Sequence, residues 1–142
     1  MPLHKYILIY VVCLAAFLML DFAWLGSVAQ PFYQRQLGAL LSPDVVWPAA
    51  VAFYLMFITG LIVFCIAPAL RYGSPIRAGV LGGFYGFITY ATYELTNLAL
   101  ITNWPAALVP VDIGWGIVLC TLVSLIGYGV GRKLHPKTEI IQ

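Results

Sequence analysis

The chain has 142 residues, of which 63% are hydrophobic and 8% are charged, and its mean hydropathy is +0.97. Soluble domains carry about 25% charged residues, so this composition excludes a water-soluble globular protein. The net charge of +2 comes from basic residues that flank apolar segments, so nothing indicates nucleic-acid binding. We therefore expect a single membrane domain over residues 1–142, with the lipid bilayer as its partner.

Four apolar segments are long enough to cross a membrane as helices. A bilayer core of about 30 Å requires about 20 helical residues, and backbone groups in lipid must be satisfied within their own segment. The sequence therefore predicts an all-α membrane protein, a four-transmembrane-helix bundle. The predicted spans are residues 6–28, 47–70, 79–101 and 109–131, followed by a cytoplasmic tail over 132–142.

The basic residues lie mainly on one side of this predicted topology. Arg35 is the only Lys or Arg on the opposite side. By the positive-inside rule, both termini and the loop between the second and third spans are expected to face the cytoplasm. The basic residues on that side are Lys5, Arg71, Arg77, Arg132, Lys133 and Lys137.

The first predicted helix is apolar until Asp21. A rise of 1.5 Å per residue places Asp21 about 22 Å along the span, in its outer third. Trp24 follows one turn further out, at a depth typical of an aromatic belt. A short interfacial helix is predicted next, because Pro31 suits a first helical turn and apolar residues recur on one side of 30–41. This helix would rest on the membrane or cover the bundle as a lid.

The second predicted helix is mostly apolar, and Tyr54 is the polar residue of its outer half. The third has glycines at three- and four-residue spacings in its inner half, a pattern that allows close helix contact. Polar residues continue on the same face in its outer half. The glycines are Gly79, Gly82, Gly83 and Gly86, and the polar residues are Tyr90, Tyr93, Glu94 and Asn97.

Glu94 has the highest cost of insertion among these residues. A carboxylate at the bilayer centre costs about 2.5–3.5 kcal/mol, so it is kept where it has a partner, water or a function. Two interpretations remain open at this stage. Glu94 lines a functional cavity, or it bonds to neighbouring tyrosines and fixes the packing of the helices.

The fourth predicted helix begins near Asp112 and Trp115. Its N-terminal dipole would favour the Asp112 carboxylate by about 0.3–1 kcal/mol, which is a structural alternative to a role in binding. Depth nevertheless places three carboxyl groups in the outer third of the bundle. The predicted ligand-binding residues are Asp21, Trp24, Tyr54, Tyr90, Tyr93, Glu94, Asn97, Asp112 and Trp115.

No basic residue is predicted at the depth of these acids. Because neighbouring carboxylates repel one another, the cluster should hold protons near neutral pH or hold a cation. His4 and His135 flank the spans, and the three cysteines have no metal-type spacing, so we predict no haem or zinc site. No cofactor and no catalytic residue can be assigned from the sequence.

Several short motifs together resemble a family of small four-span bacterial inner-membrane proteins, catalogued only as a domain of unknown function. They are Asp21-Phe-Ala-Trp24-Leu-Gly26, Tyr33, Tyr93-Glu94-Leu95-Thr96-Asn97, Trp104 and Asp112-x-x-Trp115-Gly116. The family more often has aspartate at the position of Glu94. The resemblance implies a bacterial inner-membrane location and supplies no reaction or substrate.

We expect the acidic and aromatic residues to bind or transport a small cation or a proton-coupled solute. A membrane enzyme or redox accessory that acts on a lipid- or quinone-like substrate is the first alternative, so enzymatic activity stays undecided. A structural or assembly subunit is the second. The glycine-lined faces also make a homodimer plausible.

Overall fold

The computed structural model describes residues 1–41 and 44–136. It is 87% helical, and the described residues contain no strand, which confirms the predicted all-α class. Residues 137–142 of the predicted tail lie outside the described residues. The helices are α1 (Leu3–Trp24), α2 (Gln30–Leu37), α3 (Trp47–Leu61), α4 (Ala67–Tyr72), α5 (Pro75–Leu100) and α6 (Leu108–Leu134).

Three helical segments are long and apolar enough to cross a membrane, namely Leu3–Ser27, Trp47–Tyr72 and Leu108–Leu134. The third predicted span corresponds to α5, which has a sufficient length of 26 residues but is not among these three segments. Its glycines, tyrosines and threonines, together with Glu94, lower its mean hydropathy. By length and composition alone, the described residues therefore support three crossings.

Short irregular turns join the helices. A π-helical turn, Leu25–Ala29, leads from α1 into α2, and a second one, Ile62–Ile66, joins α3 to α4. Pro68, in the first turn of α4, has no N–H to donate, so the regular pattern breaks just before it. Gly73 then adopts a left-handed conformation (φ 64°) that ends α4, and the Ser74 hydroxyl caps the start of α5.

The glycine face of α5 packs against α6 of the same chain. A Cβ atom at Gly82 would lie 2.6 Å from the carbonyl oxygen of Cys120, and one at Gly86 would meet the carbonyl group of Gly116. The Ser124 hydroxyl donates to the carbonyl oxygen of Ala78 at 2.8 Å. This part of the glycine surface is therefore occupied by another helix of the same chain.

Helices α1 and α6 run antiparallel along their length. The Lys5 ammonium group donates to the carbonyl oxygen of Leu134 at 2.6 Å at one end of the pair. At the other end, the Trp115 indole donates to Asp21. Between these ends lies an apolar core that includes Phe17, Ile58, Leu61, Leu119 and Val123. The C-terminal ends of α1 and α5 therefore meet the N-terminal end of α6, and Asp21, Glu94 and Asp112 lie at this far end of the molecule.

Candidate functional site

A cavity of about 260 Å³ lies where the far ends of α1, α5 and α6 meet, beneath α2. We refer to it as the acidic cavity, because three carboxyl groups line it. No Lys, Arg or His is found among the described residues that line it. These residues are Asp21, Trp24, Leu25, Tyr33, Leu37, Leu41, Tyr90, Tyr93, Glu94, Leu108, Asp112 and Trp115.

A pair of stacked indoles forms one wall. The rings of Trp24 and Trp115 have centroids 4.7 Å apart and an interplanar angle of 7°. The Nε1–H group of Trp115 donates to the Asp21 carboxyl oxygen at 3.1 Å. The stack therefore connects α1 to α6 and holds the Asp21 carboxyl group at the cavity.

Glu94 is the most deeply buried of the three acids, with 1% of its surface exposed. Its carboxyl group accepts a hydrogen bond from Nε1–H of Trp104 at 2.8 Å. Asn103, in a left-handed conformation (φ 62°), turns the loop between α5 and α6, and Trp104 follows it directly. The backbone of this loop therefore helps to position the donor of Glu94.

The side chains of Glu94 and Asp112 also lie within hydrogen-bonding reach of each other. A hydrogen bond between two carboxyl groups requires a proton on one of them, because ionised carboxylates only accept. A proton on either group would therefore allow the two to bond to each other. Such a pair can release the proton when a cation binds, or pass it to a bound molecule.

Tyr33 connects α2 to the acids. Its hydroxyl group donates to the Asp112 carboxyl oxygen at 2.9 Å and lies 3.5 Å from Nε1 of Trp24, which donates to it. Burial raises the pKa of Tyr33 above its usual range, and the nearby Asp112 charge acts in the same direction. The hydroxyl group therefore stays protonated and remains a donor at neutral pH. Through Tyr33 and Leu37, α2 covers the acidic cavity.

A second, larger cavity of about 610 Å³ adjoins the first and lies between α3 and α5. We refer to it as the lateral cavity. Phe53 and Ile88 lie on its rim and are 47% and 46% exposed on the outer surface of the helices. Its lining is mostly apolar, and Tyr90, Tyr93 and Asp112 line both cavities. The remaining lining residues are Phe53, Phe57, Ile88, Thr89 and Thr92.

The structure brings seven of the nine predicted site residues to the acidic cavity. Tyr54 and Asn97 do not line it. The ring of Tyr54 packs against Phe17 and Phe53, with centroid distances of 5.9 and 5.3 Å. The side chain of Asn97 lies beside that of Tyr93 instead. Equal depth in the span was therefore not sufficient to place these two residues at the cavity.

Two hydrogen-bond donors to the acids were absent from the predicted set. Tyr33 and Trp104 come from the segments that join the helices, and each donates to one of the acids. Periodicity within a helix cannot reveal such contacts. Both residues belong to the motifs that carry the family resemblance, which was the one signal in the sequence that pointed to them.

Metal-ligating side chains do not cluster in the described residues, where no group of three or more His, Cys, Asp or Glu could hold a metal ion. The three cysteines are free and buried in the helices. Cys65, for example, contacts the carbonyl oxygen of Leu81 at 3.3 Å. The acidic cavity is lined by carboxyl groups, indoles and phenols together with four leucines.

The fold and the composition define a small helical membrane protein. The chain belongs to the family of predicted membrane proteins DUF2177, whose model matches residues 6–129 and thereby confirms the resemblance carried by the motifs. No curated protein and no solved structure is significantly similar to the chain. The family assignment therefore comes without a reaction or a ligand.

Proposed function

We propose that this protein binds a small organic cation in the acidic cavity and moves it, in exchange for a proton, across a bacterial inner membrane. The observation that carries the proposal is the composition of the cavity wall. Asp21, Glu94 and Asp112 line one space of about 260 Å³, and no basic residue is among its described lining. A positively charged ligand is the partner that this charge balance favours.

The aromatic walls support an organic rather than an inorganic cation. Indole and phenol faces attract ammonium groups by about 0.5–2 kcal/mol, with the larger values in desolvated sites. Trp24, Trp115 and Tyr90 all line the cavity. A proton shared by Glu94 and Asp112 would give a means of coupling, since a bound cation would displace it and keep the local charge nearly constant.

We further propose that α5 is a fourth span, so that both termini face the cytoplasm. Helix α5 lies antiparallel to α6 from Ala78, beside Ser124, to Glu94, beside Asp112. Because α6 is long and apolar enough to cross the membrane, a helix aligned with it over this length crosses the same layer. The outward side of α5 is also apolar, with Val80 64% and Phe84 61% exposed.

Uptake of labelled methylammonium into proteoliposomes tests the proposal. We expect uptake by the native protein, dependent on a pH gradient, and its loss in Asp21→Asn and Glu94→Gln. Asp44→Asn is the matched control, because Asp44 is an acid that does not line the cavity. Uptake that is the same in all four proteins would contradict the proposal. Variants that lose stability but keep uptake would favour the structural or assembly role.

A membrane enzyme or redox accessory is the second candidate function, and the lateral cavity favours it. This cavity is open on the outer surface of the helices and reaches Asp112, which lies beside Glu94. A lipid- or quinone-like molecule could receive or give a proton there. Extraction of the purified protein, followed by mass spectrometry, should then recover such a molecule at near-stoichiometric amounts. Its absence from native protein in native-lipid nanodiscs would contradict this candidate.

A further inference from the structure

We infer that the ligand is an amphipathic amine, whose cationic head lies in the acidic cavity and whose apolar tail lies in the lateral cavity. This inference rests on the proposed cation site and names the chemical class of its ligand. It also assigns a route, because such a molecule would enter sideways from the bilayer between α3 and α5.

The sizes of the two cavities lead to this class. Small-molecule sites usually have volumes of about 300–1,000 Å³. The acidic cavity, at about 260 Å³, lies just below that range and is large enough for a head group. The lateral cavity, at about 610 Å³, lies well within it. A ligand that filled both would have most of its volume in the apolar part.

The walls of the lateral cavity suit a hydrocarbon tail. The rings of Phe53 and Phe57 pack against each other with a centroid distance of 5.4 Å, and Ile88 faces them from α5. The hydroxyl groups of Thr89 and Thr92 donate to the backbone carbonyl oxygens of Tyr85 and Ile88, at 2.8 and 2.6 Å. These threonines therefore present little unsatisfied polarity to the cavity.

The junction of the cavities lies at the acids. Tyr90, Tyr93 and Asp112 line both spaces, so a molecule lying in the lateral cavity would bring its end to Asp112. Beyond this point, Asp21 and Glu94 supply further negative charge or acceptor oxygens. A positive head group complements this end, whereas a carboxylate or phosphate head would meet like charge.

The test compares three probes with the protein in lipid nanodiscs: ethylamine, decylamine and decanol. Binding is followed by tryptophan fluorescence, because Trp24 and Trp115 lie at the acidic cavity, and empty nanodiscs correct for partitioning into lipid. We expect decylamine to bind at least about tenfold more tightly than ethylamine, a factor that burial of two methylene groups would already supply. Decanol, with the same tail and no charge, should not compete.

Two matched variants locate the tail. Ile88→Phe enlarges a side chain in the lateral cavity, and Val80→Phe makes a similar change on a surface of α5 outside that cavity. We expect Ile88→Phe to reduce the advantage of decylamine to less than about threefold, and Val80→Phe to preserve it. An unchanged affinity for ethylamine would show that Ile88→Phe is still folded.

The outcomes separate the two claims. Equal affinities for ethylamine and decylamine, or an Ile88→Phe variant that keeps the full advantage of the tail, would overturn the amphipathic ligand and leave the cation site standing. Failure of both amines to bind native protein, or binding of decanol as tight as that of decylamine, would overturn the cation site and this inference with it.

Discussion

At the scale of single residues, each acid of the cavity is held by an aromatic donor from another segment. Trp115 donates to Asp21, Trp104 donates to Glu94, and Tyr33 donates to Asp112. The carboxyl groups are thereby oriented without a basic partner among the described residues that line the cavity. An acid that is paired with Lys or Arg would already be neutralised, so this choice of donors leaves the site able to attract a cation.

The hydrogen bond from Trp115 to Asp21 should contribute measurably to stability. Trp115→Phe keeps an aromatic ring beside Trp24 but removes the N–H donor, which leaves a half-buried carboxyl group without its partner. We expect a loss of about 1–3 kcal/mol in the free energy of unfolding, measured by titration with sodium dodecyl sulfate in mixed micelles. Trp47→Phe is the control, because Trp47 is 65% exposed at the start of α3. Equal losses in both variants would contradict the expectation.

The sequence allowed the acids to be located but not the partners that hold them. Asp21, Glu94 and Asp112 could be placed by counting helical rise, since an α-helix has a fixed 1.5 Å per residue. Tyr33 and Trp104 depend on the π-helical turn after α1 and on the left-handed Asn103. Such local departures from regular geometry have no periodic signature, so periodicity could not predict the positions of these donors.

At the scale of helices, the close contact of α5 and α6 depends on glycine. Gly82→Ala would place a methyl group 2.6 Å from the Cys120 carbonyl oxygen and the same distance from the Ser124 Cβ atom. Because backbone cannot move aside cheaply, we expect a loss of about 1–3 kcal/mol in the free energy of unfolding. The measurement is again detergent-induced unfolding.

Gly114→Ala in α6 is the matched control for this change. An added Cβ atom at Gly114 meets nothing within 4 Å, and the residue is already helical. Alanine should therefore be neutral or should stabilise by about 0.4–1 kcal/mol. If Gly82→Ala were as stable as Gly114→Ala, the glycines would not determine how closely the two helices approach.

Helix α2 lies over the acidic cavity, and the Tyr33 hydroxyl group bonds it to Asp112. Tyr33→Phe removes the hydrogen bond to Asp112, and we expect α2 to open about fivefold more often, the factor that corresponds to about 1 kcal/mol. The measurement is the rate at which a water-soluble thiol reagent labels Leu108→Cys, a buried position in the acidic cavity. Tyr10→Phe removes a hydroxyl bond to Leu55 outside the acidic cavity and should not change the rate. If Leu108→Cys were labelled at the same rate with and without Tyr33→Phe, the hydrogen bond of Tyr33 would not hold α2 over the cavity.

At the scale of the whole molecule, the polar stripe on α5 explains why hydropathy gives three spans among the described residues whereas we propose four. Averaged over the helix, Glu94 and its polar neighbours reduce the hydropathy of α5, so it does not meet the threshold that the other three segments meet. In the fold, the most polar of these side chains is turned inward: Glu94 is 1% exposed, whereas Phe84 is 61% exposed. A hydropathy average cannot distinguish the two faces of one helix.

The number of crossings decides the side on which the C-terminus lies. If α5 crosses, both ends of the chain share one side; if it does not, they lie on opposite sides. We expect green fluorescent protein fused after Leu134 to fluoresce in the cytoplasm, and alkaline phosphatase fused after Asn103 to be active outside it. Fusions after Gly73 should behave like those after Leu134, because Arg71 and Arg77 lie beside that loop. An active phosphatase after Leu134 would mean three crossings. Helix α6 would then cross the membrane in the same direction as α1, which the antiparallel contacts of these two helices do not allow.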